Sequence, residues 1–199
     1  MTKFENWHEV NKVTERKKGN SYVFMGVSSC GKSSIGAAVA EALETKFIDG
    51  DDLHPRANII KMKSGSPLND SDRAPWLERI NDAVYSIEQK GEQGVIVCSA
   101  LRRQYRDLIR QNNSKLVFIH LYGDFELVKE RMFARKAHFM PIELLKSQFD
   151  TLEMPATDEA DVIQVSIDGT FEEVVQRCIN AINGEGYGKR WPLKSSAKS

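Results

Sequence analysis

The stretch Gly26-Val27-Ser28-Ser29-Cys30-Gly31-Lys32-Ser33 decides the fold of this 199-residue chain. It matches the pattern GxxxxGK[ST], which binds phosphate groups when it connects a β-strand to a helix. The preceding residues 22–26 are largely apolar, and Ile35, Val39 and Leu43 after the loop repeat at the spacing of an amphipathic helix. The sequence therefore predicts a strand, a phosphate-binding loop and a helix, in that order.

The residue types in this loop are suited to holding a nucleoside triphosphate. The glycines let successive backbone N–H groups converge on phosphate oxygens, and the start of the helix adds its positive dipole end. Lys32 is expected to reach the β and γ phosphates, and the Ser33 hydroxyl to bind the Mg²⁺ that bridges them. ATP and Mg²⁺ are thus the predicted cofactors. The predicted ATP-binding residues are Gly26, Val27, Ser28, Ser29, Cys30, Gly31, Lys32, Ser33 and Ser34.

Runs rich in β-branched and aromatic residues recur at residues 22–26, 46–50, 95–100, 116–122 and 162–168. Most of them are apolar throughout, which is typical of parallel strands that are covered on both faces. Amphipathic helical patterns fill the segments between them. The sequence predicts a three-layer α/β fold, with a mainly parallel five-stranded sheet between layers of helices.

The chain is predicted to form a single domain over residues 21–185, between a polar N-terminal extension at residues 1–20 and a tail at residues 186–199. Two segments within the domain, residues 54–75 and 131–141, are long for simple connections. Long loops in compact domains often bind ligands or close over them. We expect the first segment to bind the substrate and the second to act as a lid.

The charge balance argues against a nucleic-acid or membrane partner. The 28 Lys and Arg residues are matched by 28 Asp and Glu residues, so the chain has no overall excess of positive charge. No apolar run approaches the roughly 18–20 residues that a membrane-spanning helix needs. The three cysteines lack CxxC spacing and fit free thiols in a reducing compartment. We therefore expect a cytoplasmic protein that acts on a small molecule.

Acidic residues follow the second predicted strand, in Phe47-Ile48-Asp49-Gly50-Asp51-Asp52. Open α/β sheets bind their ligands at the carboxyl ends of the strands. Asp49 and Asp51 are two residues apart and are expected to share one side of an extended segment. One carboxylate, assigned as Asp49, would hold the Mg²⁺ shell, while Asp51 would orient or deprotonate the acceptor hydroxyl. The alternative is an acidic turn that caps the next helix.

Further strings form a recognisable pattern along the chain. They are Gly50-Asp51-Asp52-Leu53-His54-Pro55, Pro67-Leu68-Asn69-Asp70, Asp72-Arg73, Pro75-Trp76-Leu77, Cys98-Ser99-Ala100-Leu101, Tyr105-Arg106-Asp107, Gln148-Phe149 and Leu152-Glu153. Together they resemble the gluconate kinase (gluconokinase) family, from about residue 22 to about residue 183. The chain departs from that family at Ser29 and Cys30, where Gly-Ser is usual, and at Ala137, where Gly is usual. Ser29 matters because a side chain disfavours positive φ.

The resemblance implies transfer of the ATP γ-phosphate to the 6-hydroxyl of D-gluconate, giving 6-phospho-D-gluconate and ADP. It also implies a fold similar to shikimate and adenylate kinases. Members of the family are commonly dimers, so a homodimer is expected.

Candidate substrate and lid residues lie in the two long segments and after the third strand. A sugar acid needs at least one cation for its carboxylate, and the sequence does not rank Arg56, Lys61 and Arg73. The predicted substrate-binding residues are Asp51, His54, Arg56, Lys61, Arg73, Arg106 and His138. The predicted catalytic residues are Lys32, Asp51, Arg131 and Arg135, of which the last two would cover the γ-phosphate when the lid closes. The predicted metal ligands are Ser33 and Asp49.

A phosphate loop of this kind also occurs in proteins with other functions. A switch GTPase is disfavoured, because the sequence has no D-x-x-G and its Asn11-Lys12 pair precedes the loop without the N-K-x-D pattern. A kinase of another small sugar acid or polyol, such as shikimate, stays open. A catalytically weak nucleotide-binding regulator also stays open, because Ser29 and Ala137 depart from the family pattern.

Overall fold

The computed structural model describes residues 20–134 and 141–184, and it confirms the predicted three-layer α/β fold. The strands are β1 (Asn20–Met25), β2 (Lys46–Asp49), β3 (Gln93–Val97), β4 (Leu116–Tyr122) and β5 (Val162–Ser166). The helices are α1 (Lys32–Ala42), α2 (Arg56–Lys63), α3 (Asp70–Gln89), α4 (Arg103–Arg110), α5 (Phe125–Ala134), α6 (Ile142–Thr151) and α7 (Phe171–Asn183), and a 3₁₀ turn covers Gly50–Leu53. The strands lie where the apolar runs predicted them, with ends shifted by a few residues.

All strand pairings in the sheet are parallel, and the order is β2-β3-β1-β4-β5. Strand β1 shows why helices cover both faces. Val23 and Met25 are buried among residues of α3 and α4, whereas Tyr22 and Phe24 are buried among residues of α1 and α7. Because successive side chains point to opposite faces of a strand, a fully apolar strand needs a cover on each side. Among the described residues, no helix combines the length and the apolar character needed to cross a membrane.

The central position of β1 determines where a ligand can bind. The chain order reverses at β1, because β3 lies on one side of it and β4 on the other. Backbone hydrogen bonds from Cys98 N to Phe24 O (3.0 Å) and from Gly26 N to Ser99 O (3.2 Å) continue the β1–β3 contact beyond the strand ends. Such a switch point leaves a crevice at the carboxyl edge of the sheet, where open α/β folds bind ligands.

The long segment at residues 54–75 contains more helix than its proline and glycine content suggests. It holds all of α2 and the first residues of α3. The start of α3 is fixed by a capping box, in which the Asn69 side chain accepts from Asp72 N (2.9 Å) and the Asp72 carboxylate accepts from Asn69 N (2.8 Å). Pro75 therefore lies inside α3, where it removes one backbone hydrogen bond without preventing the helix from starting upstream.

Arg106 is buried in the structure, so the prediction that it contacts the substrate is corrected. The residue is 0% exposed, and its Nε and Nη2 each donate to a carboxylate oxygen of Glu159 at 2.7 Å. Its Nη1 lies within 3.1–3.4 Å of the carbonyl oxygens of Ala100, Leu101 and Glu153. The face of α4 that carries Arg106 turns toward the protein interior. The guanidinium therefore holds the β3–α4 connection against the segment that follows α6.

The pKa of Glu159, the ion-pair partner of Arg106, is strongly lowered. Hydrogen bonds from Arg106, and also from Arg110 Nη2 at 2.6 Å and the backbone N–H of Ala156, lower the pKa of Glu159 from 4.5 to about 2, while burial acts in the opposite direction. A carboxylate with a depressed pKa in the folded state stabilises the fold fully above its unfolded pKa. That stabilisation is lost as the pH falls from 4.5 through about 2.

Replacing Arg106 with methionine is expected to lower the free energy of unfolding at pH 7 by about 3 kcal/mol, the low end of the range for breaking a buried ion pair, because Glu159 would keep a buried charge with Arg110 as its remaining arginine partner. Chemical denaturation measures the loss, and the exposed Arg56→Met is the control, expected to stay within about 0.5 kcal/mol of wild type. The difference between wild type and R106M should shrink below pH 4.5. Unchanged stability together with a raised KM for the acceptor would instead restore a substrate role for Arg106.

Candidate active site

The phosphate loop has the predicted position between β1 and α1. Gly26 has a φ of +141°, and a Cβ atom there would lie 2.5 Å from the carbonyl oxygen of Leu121. Gly31, with a φ of +98°, caps the start of α1, and its carbonyl accepts from Ile35 N at 2.9 Å. Both glycines are therefore required by the backbone geometry. The loop directs the N-terminus of α1 toward the carboxyl edge of the sheet, as an anion site requires.

Ser29 adopts the conformation that makes its departure from the family pattern significant. Its φ is +65°, in the left-handed region, where a residue with a side chain costs roughly 1–2 kcal/mol relative to its relaxed conformation. Cys30, the next residue, is 0% exposed and packs inside the loop. The loop thus keeps the geometry for phosphate binding, although Ser29 strains it.

The Lys32 and Ser28 side chains are both engaged within the site. Lys32 Nζ donates to the carbonyl oxygen of Val27 at 2.8 Å, so its ammonium group lies over its own loop. Ser28 N donates to Gln148 Oε1 at 2.6 Å, and Gln148 Nε2 donates to Ser28 Oγ at 2.9 Å. Ser28 was predicted as an ATP contact, and in the structure both its backbone N–H and its hydroxyl are bonded to α6.

Asp49 and Asp51 do not lie on one side of an extended segment, and that part of the prediction is wrong. The chain enters the 3₁₀ turn directly after β2, and Asp49 caps it by accepting from Asp51 N at 3.1 Å. Gly50 makes the turn tight, because a Cβ atom there would lie 2.2 Å from the carbonyl oxygen of Val97. The Asp51 side chain is 87% exposed at the carboxyl edge. The turn thus separates the two carboxylates: Asp49 stays at the end of β2, and Asp51 projects outward.

Ser33 and Asp49 have the ligand chemistry of a Mg²⁺ site, and their assignment as metal ligands stays a prediction. Both offer oxygen atoms, the ligand type that Mg²⁺ prefers. Ser33 is exposed in the first turn of α1, and Asp49 is half-buried at the end of β2, two strands away from β1 in the sheet. Protein sites of this kind usually supply one or two oxygens and leave the remaining positions to water and phosphate.

His54 is held rigidly beside Asp51. Its ring is buried and stacks on Trp76, with centroids 4.2 Å apart and planes inclined by 15°. Its Nδ1 is 3.3 Å from Asn58 Nδ2, and its Nε2 is 4.0 Å from Asp51 Oδ1. The backbone before Pro55 is extended, as predicted, with φ −61° and ψ 134°. A ring held in this way presents Nε2 toward the Asp51 carboxylate.

Burial also sets the charge state of His54. It lowers the pKa of the imidazole below 6.5, Asp51 acts in the opposite direction, and the positive charge of Arg73 lowers the pKa further. His54 is therefore neutral at neutral pH. The Trp76 ring that supports it is fixed in turn, because its Nε1 donates to the carbonyl oxygen of Gly50 at 2.7 Å.

The structure distinguishes among the three cations that the sequence left unranked. Lys61 Nζ is bound to the Asp72 carboxylate at 2.5 Å, so its charge supports the capping box of α3. Arg56 is exposed at the start of α2. Arg73 is partly buried, at 32% side-chain exposure, and its charge acts on His54. Of the three cations, Arg73 is thus the one whose charge acts on His54, and the assignment of the substrate carboxylate to one of them stays a prediction.

A cluster of polar side chains that the sequence did not predict surrounds Arg73. Asp70 accepts from Arg102 Nη1 at 2.8 Å and from the Tyr105 hydroxyl, and it lies 3.7 Å from Arg73 Nη1. The guanidinium carbons of Arg73 and Arg102 are each 5.8 Å from the Tyr105 ring centroid. This group joins the start of α3 to the residues after β3. Asp70, Arg73 and Tyr105 occur in the strings that resemble the gluconokinase family, whereas Arg102 lies between two of those strings. Nothing in their spacing predicts the contacts.

The lid prediction falls partly outside the described residues. Arg131, in the last turn of α5, donates through Nη2 to the carbonyl oxygens of Ile167 and Gly169, the latter at 3.1 Å. In this structure it thus holds the loop that follows β5. Arg135 and His138 lie outside the described residues. The roles of Arg131 and Arg135 at the γ-phosphate stay predictions.

Comparison with known proteins identifies the family. A sequence model of the shikimate kinase family matches residues 28–183. The thermosensitive gluconokinase of Escherichia coli K12 is 51% identical over 164 residues, which cover 82% of this chain and 88% of that protein. The thermoresistant gluconokinase of the same organism is 50% identical over 161 residues, which cover 81% of this chain and 92% of that protein. The crystal structure of a gluconokinase from Sinorhizobium meliloti 1021 has a TM-score of 0.76 at 41% identity, covering 84% of this chain and 94% of that one. Since these relatives are about half identical to the chain over four-fifths of its length, the chain belongs to the gluconokinase family of P-loop kinases.

Proposed function

We propose that the protein transfers the γ-phosphoryl group of MgATP to the 6-hydroxyl of D-gluconate, giving 6-phospho-D-gluconate and ADP. One observation carries the proposal. A phosphate loop after β1 and an acceptor cluster of Asp51, His54 and Arg73 meet at the same carboxyl edge of the sheet. The membership of the chain in the gluconokinase family supplies the identity of the acceptor.

On the nucleotide side, the chain contributes positive charge and fixed dipoles. Lys32 can leave the Val27 carbonyl and place its ammonium group against the β and γ phosphates. The N-terminus of α1 adds backbone N–H groups in fixed orientation. Ser33 and Asp49 would hold the Mg²⁺, which neutralises charge on the phosphates when it is bound. Most of the rate enhancement is expected from this positioning and from charge neutralisation.

On the acceptor side, three residues have separate tasks. Arg73 binds the carboxylate of the sugar acid through its guanidinium group. The neutral His54 ring offers Nε2 to a sugar hydroxyl or to Asp51. Asp51 accepts a hydrogen bond from the reacting hydroxyl and takes its proton as the oxygen attacks the γ-phosphorus in line. Because the ring is stacked and the turn is capped, this geometry is ready before the substrate arrives.

Three further features complete the proposal. Closure of the segment at residues 131–141 would exclude water and bring Arg131 and Arg135 to the transferring group. A homodimer is the expected assembly, and the cytoplasm is the expected location.

The function is tested by measuring ADP release from purified protein with MgATP and, in turn, D-gluconate, L-idonate, shikimate, glycerate and AMP. We expect ADP formation that depends on D-gluconate and disappears in Lys32→Ala. Turnover with another acceptor alone would refute D-gluconate as the substrate, although the protein would still be a kinase. MgATP binding without turnover on any acceptor would favour the nucleotide-binding regulator.

Asp51→Asn is expected to lower kcat on gluconate by about 100-fold or more, because the amide cannot take the proton of the hydroxyl. Binding of MgATP should change little. The adjacent, exposed Asp52→Asn is the matched control, and its kcat should stay close to wild type. Steady-state kinetics with both substrates gives the comparison. Equal losses in the two variants would contradict a specific role for Asp51.

Arg73→Met is expected to raise the KM for gluconate by about 10- to 100-fold, since a charged hydrogen bond to the carboxylate is lost. The KM for MgATP should stay unchanged. Arg56→Met provides the control, because Arg56 is exposed on the neighbouring helix. If Arg56→Met rather than Arg73→Met raised the gluconate KM, the assignment of the carboxylate site would be wrong.

A further inference from the structure

We propose that Gln148 is a positioning residue for MgATP, which sets the orientation of the Val27–Ser28 peptide unit from outside the phosphate loop. The inference depends on the proposed function only in that the loop binds MgATP. It assigns a task to the one side chain of α6 that bonds to the loop in the described part of the chain.

The hydrogen bonds on this peptide unit come from opposite sides. The carbonyl oxygen of Val27 accepts from Lys32 Nζ at 2.8 Å, and the N–H of Ser28 donates to Gln148 Oε1 at 2.6 Å. In a planar trans peptide unit, the C=O and N–H groups point in opposite directions. Lys32 and Gln148 therefore hold the same plane from its two edges. In the free protein, rotation of that plane would weaken both bonds. Once Lys32 has moved to the phosphates, the bond from Ser28 N–H to Gln148 is the one that still holds the plane.

Gln148 makes a second contact that prevents its own amide from turning. Its Nε2 donates to Ser28 Oγ at 2.9 Å, so both ends of the carboxamide are bonded to one residue. Ser28 and Gln148 are both half-buried, where a hydrogen bond is exchanged less readily for water. The side chain thus acts as a two-point clamp on Ser28.

The clamp acts directly beside the strained residue. Ser29 has a φ of +65°, which glycine adopts freely and serine adopts at a cost. A loop with serine at this position gains by relaxing toward negative φ, and such relaxation would move the N–H groups that bind phosphate. By fixing Ser28, Gln148 resists that movement. The clamp therefore holds the loop in place against the strain at Ser29.

The attachment of α6 to the rest of the protein does not need this clamp. Leu145 is fully buried in the core, and Phe149 packs edge-on against Phe125, with ring centroids 5.4 Å apart. At the end of the helix, Glu153 accepts from Arg103 N at 2.7 Å. Loss of the Gln148 amide should therefore leave α6 in place and affect the loop selectively.

The test uses Gln148→Met, which keeps the length and helix preference of the side chain and removes its hydrogen bonds. Binding of a nonhydrolysable MgATP analogue is measured by calorimetry, without any acceptor, so the result is independent of whether gluconate is the substrate. We expect about a tenfold loss of affinity, with an unchanged melting temperature of the free protein and an unchanged KM for gluconate. Gln176→Met is the matched control, because Gln176 bonds to Asn180 on the exposed face of α7.

The second arm of the test repeats Gln148→Met in a Ser29→Gly background. Glycine removes the strain, so the loss caused by Gln148→Met should fall to about threefold or less. Three results would overturn the proposal. They are wild-type affinity in Q148M, the same tenfold loss with and without S29G, and a loss of affinity matched by a lower melting temperature and a raised gluconate KM.

Discussion

The site depends first on the sharp turn that the chain makes at the end of the central strand. β1 lies between β3 and β4, so the chain leaving it has almost no room beside the Leu121 carbonyl, where a Cβ on Gly26 would lie at 2.5 Å. This forces positive φ at Gly26 and directs the loop across the crevice toward α1. The N–H groups of the loop, Lys32 and the helix N-terminus then point to one place. The ends of β3 and β2, which follow β1 on one side in the sheet, lie at the same carboxyl edge as this loop.

A second tight turn, after β2, has the corresponding effect on the acceptor side. Gly50 packs against the Val97 carbonyl, and Trp76 both bonds to the Gly50 carbonyl and stacks on His54. The result is an exposed Asp51 carboxylate that is held beside a neutral imidazole ring. The nucleotide side and the acceptor side of the crevice thus each depend on a backbone turn whose geometry a neighbouring strand restricts. Catalysis by positioning requires this kind of rigidity.

Local features of the sequence were sufficient to predict the strands, the order of elements and the phosphate loop, because they depend on burial and on turn chemistry. Features that depend on distant partners were not predictable. Arg106 was expected near the substrate, but its position depends on the ion pair with Glu159, which is 53 residues away in the sequence. The 3₁₀ turn at Asp51 depends on how Gly50 meets β3. Gln148, 120 residues from Ser28, appeared in the sequence only as part of a resemblance.

The two halves of the crevice are expected to meet at one hydroxyl of the acceptor, and transfer to that hydroxyl can be measured. It is tested most directly by phosphorus–proton correlation NMR of the product formed from MgATP and D-gluconate. We expect a phosphorus signal that couples to the methylene protons of carbon 6. Coupling to the proton of another carbon, or release of inorganic phosphate without a phosphorylated sugar acid, would contradict it.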